Sequence, residues 1–400
     1  MKYDFETSPI MPGLGNIQHV RWPGRLKDKG IESYRGSIMH FPIAPQIVKA
    51  FTERAGGTFG YTQMDAPYVD AVLNWMKTRR HWDARREQLI NYFGTMQTIV
   101  TAIRAFSEPG DGVIVCTPTF SMYKLLIETN QRRQAVVPLI FDGDTYHFDQ
   151  PALAQAMAVR ENRMLLICNP NNPTGTVWPQ DELAQLAQLA RQHDVVVISD
   201  EIFAELTFPG YLTTPFVACC PDAGRSLTIT SLSKTFNLVG QAHANVFIKD
   251  EDTRRRFVRQ AEMELIRDMD AFMYCATLAA YTQCGDWLDE VQRLMVKHHA
   301  LWQDFLAVHL PMVKVVPPQG TYLLWIDWRG LGLSDAQLES FLFDEADIAI
   351  DRGDAYGPGG EGFTRANIAM PTRDLEALLT RLLAAARARG VASTGPVRGR

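Results

Sequence analysis

The sequence predicts an α/β protein in which a mainly parallel, seven-stranded-type sheet is sandwiched by helices and joined to a smaller α+β domain. Three observations lead there. Between residues 88 and 249, runs of strand length alternate with stretches of helical periodicity, the pattern of crossover units in a parallel sheet. Two of those runs, Met164-Leu-Leu-Ile-Cys168 and Val195-Val-Val-Ile198, are continuously apolar, as strands covered on both faces must be. A chain of 400 residues also exceeds what one core usually organises, so a second unit is expected.

The elements follow in order. The first forty residues carry many Pro and Gly and little periodicity, and read as an extended arm; Gly13-Leu-Gly15 follows no strand and reads as a loop. From Pro45 the spacing of Ile47, Val48 and Phe51 predicts a helix that ends at Gly56-Gly57. Phe59-Gly60-Tyr61-Thr62 comes next. A second helix follows, with Tyr68, Val69, Val72, Leu73 and Met76 on one side, and closes in Arg79-Arg80-His81. Gln88–Phe93 reads as a strand, Gly94-Thr95-Met96-Gln97 as a turn, and Thr98–Phe106 as a helix. A glycine turn opening a helix leaves free N–H groups at the positive end of the helix dipole, which suits a phosphate.

Further strands are expected near 112–116, 135–140, 163–168, 194–199, 225–231 and 244–249. After Asp250 about sixty residues read as helical. Strands at 313–316, 321–327 and 364–370, with helices at 334–343 and 373–389, make the smaller unit, and the last nine residues read as disordered. The predicted division is an arm at 1–47 that joins the small unit, a large domain at 48–285 and a small domain at 286–400.

Composition narrows the function. Apolar content of 46% and charged content of 21% describe a globular protein, and a net charge of −5 gives no basic footprint for nucleic acid or an anionic membrane. Six cysteines form no C-x-x-C pair and several sit in apolar runs, as reduced core residues of a cytoplasmic protein do. Asp4 and Glu6 stand where a signal peptide needs an apolar stretch, and no run reaches transmembrane length. His298-His299 lack the i, i+4 spacing of a zinc site, so no metal is assigned.

Chemistry gathers at strand ends, where open α/β sheets bind ligands. The 225–231 strand runs into Ser231-Leu-Ser233-Lys234, an amine flanked by small hydroxyls and presented rather than buried. The 194–199 strand ends in Asp200-Glu201, and the 163–168 strand in Asn169-Pro-Asn-Asn172-Pro-Thr-Gly175. A lysine held in a pocket can lose its proton and attack a carbonyl.

Asn-Pro-Asn-Asn-Pro-Thr-Gly, Ser-Asp-Glu-Ile and Ser-Leu-Ser-Lys, in this order and spacing, resemble the fold-type-I pyridoxal-phosphate enzymes, the aspartate aminotransferase superfamily. The resemblance runs from about Pro45 past Arg365 and implies the transferase fold of that superfamily with pyridoxal 5'-phosphate as cofactor. Phe59-Gly-Tyr-Thr and Arg79-Arg-His resemble its cystathionine β-lyase-type carbon–sulfur lyases.

The resemblance also implies roles. Lys234 links to the cofactor aldehyde and then serves as base at the substrate Cα, and Asp200 faces the ring nitrogen. Asn172 donates to the phenolate oxygen and Phe120 stacks on the ring. Thr95 and Met96, through backbone N–H, hold the phosphate with Ser231 and Ser233. Tyr61 is lent by the neighbouring subunit of a homodimer, and Arg365, with Asn172 beside it, clamps the α-carboxylate of an amino-acid substrate.

Three positions depart from the relatives: Phe203 where Tyr or His is usual, Ala242 where a phosphate-binding arginine is usual, and Ile38-Met-His40-Phe where the lyases have Asp-Met-Asp-Phe. His243 is left open as a substitute for that arginine. The lyase-type stretches favour β-elimination from an S-substituted cysteine. Transamination needs the same residues and stays open, as do a specialised oxidative or decarboxylating reaction and, more remotely, a regulatory role without catalysis.

Overall fold

The computed structural model describes residues 2–9, 29, 31, 34–220, 224–266 and 268–393. The Gly13-Leu-Gly15 loop and the last seven residues lie outside the described residues. Helix α1 (Pro45–Ala55) starts on a proline, whose missing N–H would have no partner there anyway. Helix α2 (Ala66–Arg80) is capped by Asp65, which accepts from the Tyr68 N–H, a contact worth about 1 kcal/mol.

The large sheet then begins. Its elements are β1 (Leu89–Tyr92), α3 (Thr95–Phe106), β2 (Gly112–Thr117), α4 (Met122–Thr129) and β3 (Arg133–Pro138). A small hairpin, β4 (Ile140–Phe141) and β5 (Tyr146–His147), precedes α5 (Gln150–Ala158), β6 (Asn162–Cys168), α6 (Gln180–Gln192) and β7 (Val196–Asp200). The unit continues through β8 (Ser226–Thr230), the one-turn α7 (Leu232–Thr235) and β9 (Ala244–Phe247). The strand order is β1-β9-β8-β7-β6-β2-β3, with β9 antiparallel to both neighbours and every other pair parallel.

The continuous apolar runs have a geometric cause. Along β6, Leu165 and Ile167 pack on one face with Leu183 and Leu186 of α6. Met164, Leu166 and Cys168 pack on the other face with Ile99 and Ile103 of α3. Side chains alternate across a strand, so a sheet with helices on both sides needs apolar residues at every position. Each such buried side chain contributes about 1.5–3 kcal/mol.

The predicted sixty-residue helical stretch is three helices: α8 (Glu251–Met263), α9 (Ala271–Gln283) and α10 (Gly285–His309). The remaining elements are β10 (Lys314–Val315), β11 (Leu323–Asp327), α11 (Asp335–Glu339), β12 (Asp351–Arg352), β13 (Phe363–Asn367) and α12 (Thr372–Arg389). The small sheet, ordered β10-β11-β13-β12, is antiparallel.

Boundaries differ from the sequence reading at several points; the helix expected from Thr98, for one, already starts at Thr95, so Thr95 and Met96 lie in its first turn rather than in a preceding turn. The strand expected at 194 begins at Val196, because Asp194 takes a left-handed turn (φ 55°). The helix expected at 334–343 is α-helical only to Glu339 and widens into a π-turn over Ser340–Glu345. The strand expected at 364–370 stops at Asn367.

The part of the expected arm next to α1 is packed into the protein. Tyr34, Met39, His40 and Phe41 are buried, and Met39 and Phe41 join a core with α1, α2, α9, α10 and the small sheet.

Candidate active site

The parallel strands end side by side. Cys168 of β6 pairs with Asp200 of β7, and Asp200 with Ile229 of β8, so the segments that follow all emerge at one edge. Gly175 closes the Asn-Pro turn after β6 in the left-handed region (φ 74°), and a Cβ there would lie 3.0 Å from the Gly320 carbonyl oxygen. Glycine is therefore needed on both counts.

Asp200 is buried. Tyr123 donates its hydroxyl to Asp200 Oδ2 at 2.8 Å and the Ile202 N–H reaches Oδ1 at 3.4 Å. Burial pushes its pKa up to about 6, opposed by Tyr123, the Ile202 amide and Lys234.

Lys234 lies in α7 immediately past β8. It is half-buried. Burial and the charge of Arg365 bring its amine down to about 7, against the pull of Asp200. The amine donates to the Ser37 hydroxyl at 2.7 Å and the Ser37 carbonyl at 3.0 Å, and lies 5.8 Å from the centre of the Phe203 ring.

Arg365 of β13 enters from the small sheet. It is buried, donates to Asn172 Oδ1 at 2.8 Å, pairs with the Asp351 carboxylate of β12 and lies over the Tyr356 ring at 5.0 Å. Its Nε has no partner. Because Asn172 accepts with its oxygen, its amide N–H groups are left to donate elsewhere. Phe120 is half-buried with its ring perpendicular to Tyr123 at 5.4 Å.

Lys234, Asp200, Arg365, Asn172 and Phe120 thus form one connected group. A second group lies beside it. Gly94 (φ 86°) precedes Thr95 and Met96 at the start of α3, and a Cβ on it would lie 3.8 Å from the Ala242 Cα and the His243 backbone N. The Ser231 hydroxyl donates to the His243 carbonyl at 2.7 Å and accepts from the Ser233 N–H, so in this arrangement its proton is directed at backbone.

His243, left open as a stand-in for arginine, faces away. Its Nε2 lies 3.0 Å from the Tyr68 hydroxyl and 3.3 Å from Thr277 Oγ1, and burial lowers its pKa to about 3. It is neutral and brings no charge to an anion. Tyr61 joins neither group and is 97% exposed.

Sequence reasoning missed Ser37, Tyr123, Tyr322, Asp351 and Tyr356. Tyr123 stands three residues after Phe120, a helical spacing that offered a signal. Ser37 had none, because its neighbours read as an arm.

The group suits a molecule with an aldehyde for the amine, a basic ring nitrogen for the buried acid and an anionic end for the α3 N-terminus. Residues 31–382 match the model of the aminotransferase class I and II family. The chain belongs to that family. Within it, the chain is 34% identical over 349 residues to cystathionine beta-lyase PatB of Bacillus subtilis, covering 87% of this chain and 90% of that protein. It is 32% identical over 356 residues to protein MalY of Escherichia coli, covering 88% and 90%. Among solved structures, cystalysin from Treponema denticola, which contains pyridoxal 5'-phosphate, superposes with a TM-score of 0.91 at 31% identity, covering 97% of this chain and all of that one.

Among the described residues of this family member, no group of His, Cys, Asp or Glu could hold a metal ion, and no helix is long and apolar enough to cross a membrane.

Proposed function

We propose that the chain is a pyridoxal-phosphate-dependent carbon–sulfur lyase that converts an S-substituted cysteine to thiol, pyruvate and ammonia. The observation that carries the reading is the Lys234 amine past the end of β8, hydrogen-bonded to Ser37 and in electrostatic reach of the buried Asp200 and the buried Arg365. The lyase name of the Bacillus relative and the cofactor in cystalysin support it.

The residues fit the cofactor. Lys234 would take the aldehyde, Asp200 the ring nitrogen, the free amide of Asn172 the phenolate oxygen, and Phe120 one ring face. Thr95 and Met96 backbone N–H groups, with the Ser233 hydroxyl and, once it turns from the His243 carbonyl, the Ser231 hydroxyl, would hold the phosphate without the arginine that Ala242 replaces. When bound, pyridoxal phosphate supplies an electron-accepting ring that stabilises negative charge at the substrate Cα.

The chain's own groups do the rest. Arg365 offers a planar fork to the α-carboxylate and so fixes which Cα bond faces Lys234. Asp200, with its Tyr123 hydrogen bond, keeps a cation favoured opposite it. Lys234 accepts the Cα proton; the electron pair of that bond forms the Cα–Cβ double bond as the Cβ–S bond breaks, and sulfur leaves as thiolate. An amine near pKa 7 is matched to taking and returning a proton at neutral pH.

Tyr61, fully exposed beside Phe59 and not far in exposure from Met263 and Leu265, supports a homodimer in which a second copy covers this surface and receives the tyrosine. Sedimentation should give a dimer. Six free thiols, five of them buried, support a reducing, cytoplasmic location. The two sheets support a large domain at 48–285 and a small one at 286–400, with 1–47 joining the latter.

The deciding experiment mixes cofactor-loaded protein with cystathionine. Thiol and pyruvate should appear with no keto acid added. A requirement for a keto acid would make the protein an aminotransferase instead.

A further inference from the structure

We propose that Ser37 is a positioning residue for the base, its hydroxyl and carbonyl together holding the Lys234 amine in place whenever that amine is free. Among the described residues, both hydrogen bonds of the amine go to Ser37, at 2.7 Å and 3.0 Å. The rest of its surroundings offers little: the Phe203 ring is apolar, and Arg365 repels an ammonium. A lysine has a flexible four-carbon stem, so an amine released into such a place needs an acceptor to define its direction.

Ser37 itself is held from every side. The Gly36 N–H donates to Asp351 at 2.9 Å, the Ile38 carbonyl accepts from Asn367 at 2.7 Å, and Met39 exchanges two hydrogen bonds with Asn237, each 2.9 Å. The His40 N–H reaches the Ala369 carbonyl at 2.8 Å, and Tyr322 donates to the Ser37 carbonyl at 2.9 Å. This is a fixed point, and Asp351 ties it to Arg365 as well. The hydroxyl has a second consequence. As an acceptor it favours the charged amine, so Lys234 keeps the proton taken from Cα until it is returned or released.

The substrate in this picture rests on the lyase reading, but the contact does not, and the tests separate the two. In the full-length chain stripped of cofactor, acylation of Lys234 by acetic anhydride across pH, followed by peptide mapping, reports the protonation of the amine. Ser37→Ala should lower its midpoint by roughly half a unit or more, and Ser37→Thr should restore it.

In the loaded enzyme, exchange of the alanine α-proton for solvent deuterium follows proton transfer without any leaving group. Ser37→Ala should slow it about tenfold with KM unchanged, and Thr should recover most of the rate. An unchanged midpoint together with unchanged exchange overturns the proposal. So does a loss in Ser37→Ala that Thr leaves uncorrected and a lowered unfolding temperature accompanies, which would assign Ser37 to the fold. Wild-type protein that exchanges alanine yet releases no thiol from cystathionine sinks the lyase reading alone, and the variants still decide on Ser37.

Discussion

Asp200 and Glu201 are neighbours, both buried, at the end of the same strand, and their surroundings differ completely. Glu201 is paired with the buried Arg80, accepts from Ser199 and the Phe216 N–H at 2.8 Å each, and has Thr228 at 3.4 Å. Burial raises its pKa and Arg80 pulls it back. Asp200 has one tyrosine, one long backbone contact and no cation bonded to it. Removing a charge from water costs several kcal/mol unless it is paired, so Glu201 is satisfied by the fold and Asp200 is not. An acid left waiting in this way marks where an outside cation belongs. The Arg79-Arg80-His81 stretch, which resembles that of the lyases, acts through Arg80 as scaffold for that strand end.

The contrast breaks first on activity. Asp200→Asn should lower kcat/KM by about a hundred- to a thousandfold, while the folded protein remains intact by circular dichroism. Glu201 should instead show its effect in stability. Arg80→Leu, which strands the carboxylate, should cost about 3–5 kcal/mol in denaturant unfolding, and the double variant Arg80→Leu/Glu201→Leu should recover part of that loss. Equal losses in single and double variants would mean the pair is not what neutralises Glu201.

A smaller effect follows from pH. The Asp200 pKa rises from 3.8 to about 6 on folding, so the stability it contributes is fully present below pH 3.8 and is lost as pH rises through about 6. In cofactor-free protein the decline should amount to about 3 kcal/mol, and Asp200→Asn should abolish it. Smallest is Phe203→Tyr. Phe203 is buried against Tyr322 and cannot donate a hydrogen bond. A hydroxyl added there should lower the pH midpoint of the bound cofactor's absorbance change by about one unit, and an unchanged midpoint would show that position 203 does not face the cofactor.

The strand-end half of the site was legible because packing on both faces writes an unbroken apolar run. The polar residue that ends each run, Asn169, Asp200 or Ser231, therefore stands out. Apart from Arg365, the opposite wall was not legible. Ser37 sits among residues with no periodicity and is placed by contacts with Asn367, Asn237 and Asp351, more than 190 residues away in sequence. Asp351 ends up on Arg365 only because β12 and β13 pair in a particular register. His243 shows the converse: its neighbour suggested an anion, whereas burial against Tyr68 leaves it neutral.

Borohydride reduction of the cofactor-loaded protein, followed by peptide mapping, tests the central claim most directly. One pyridoxyl group per chain should be found, carried by Lys234. A label on any other lysine, or none, would contradict the account.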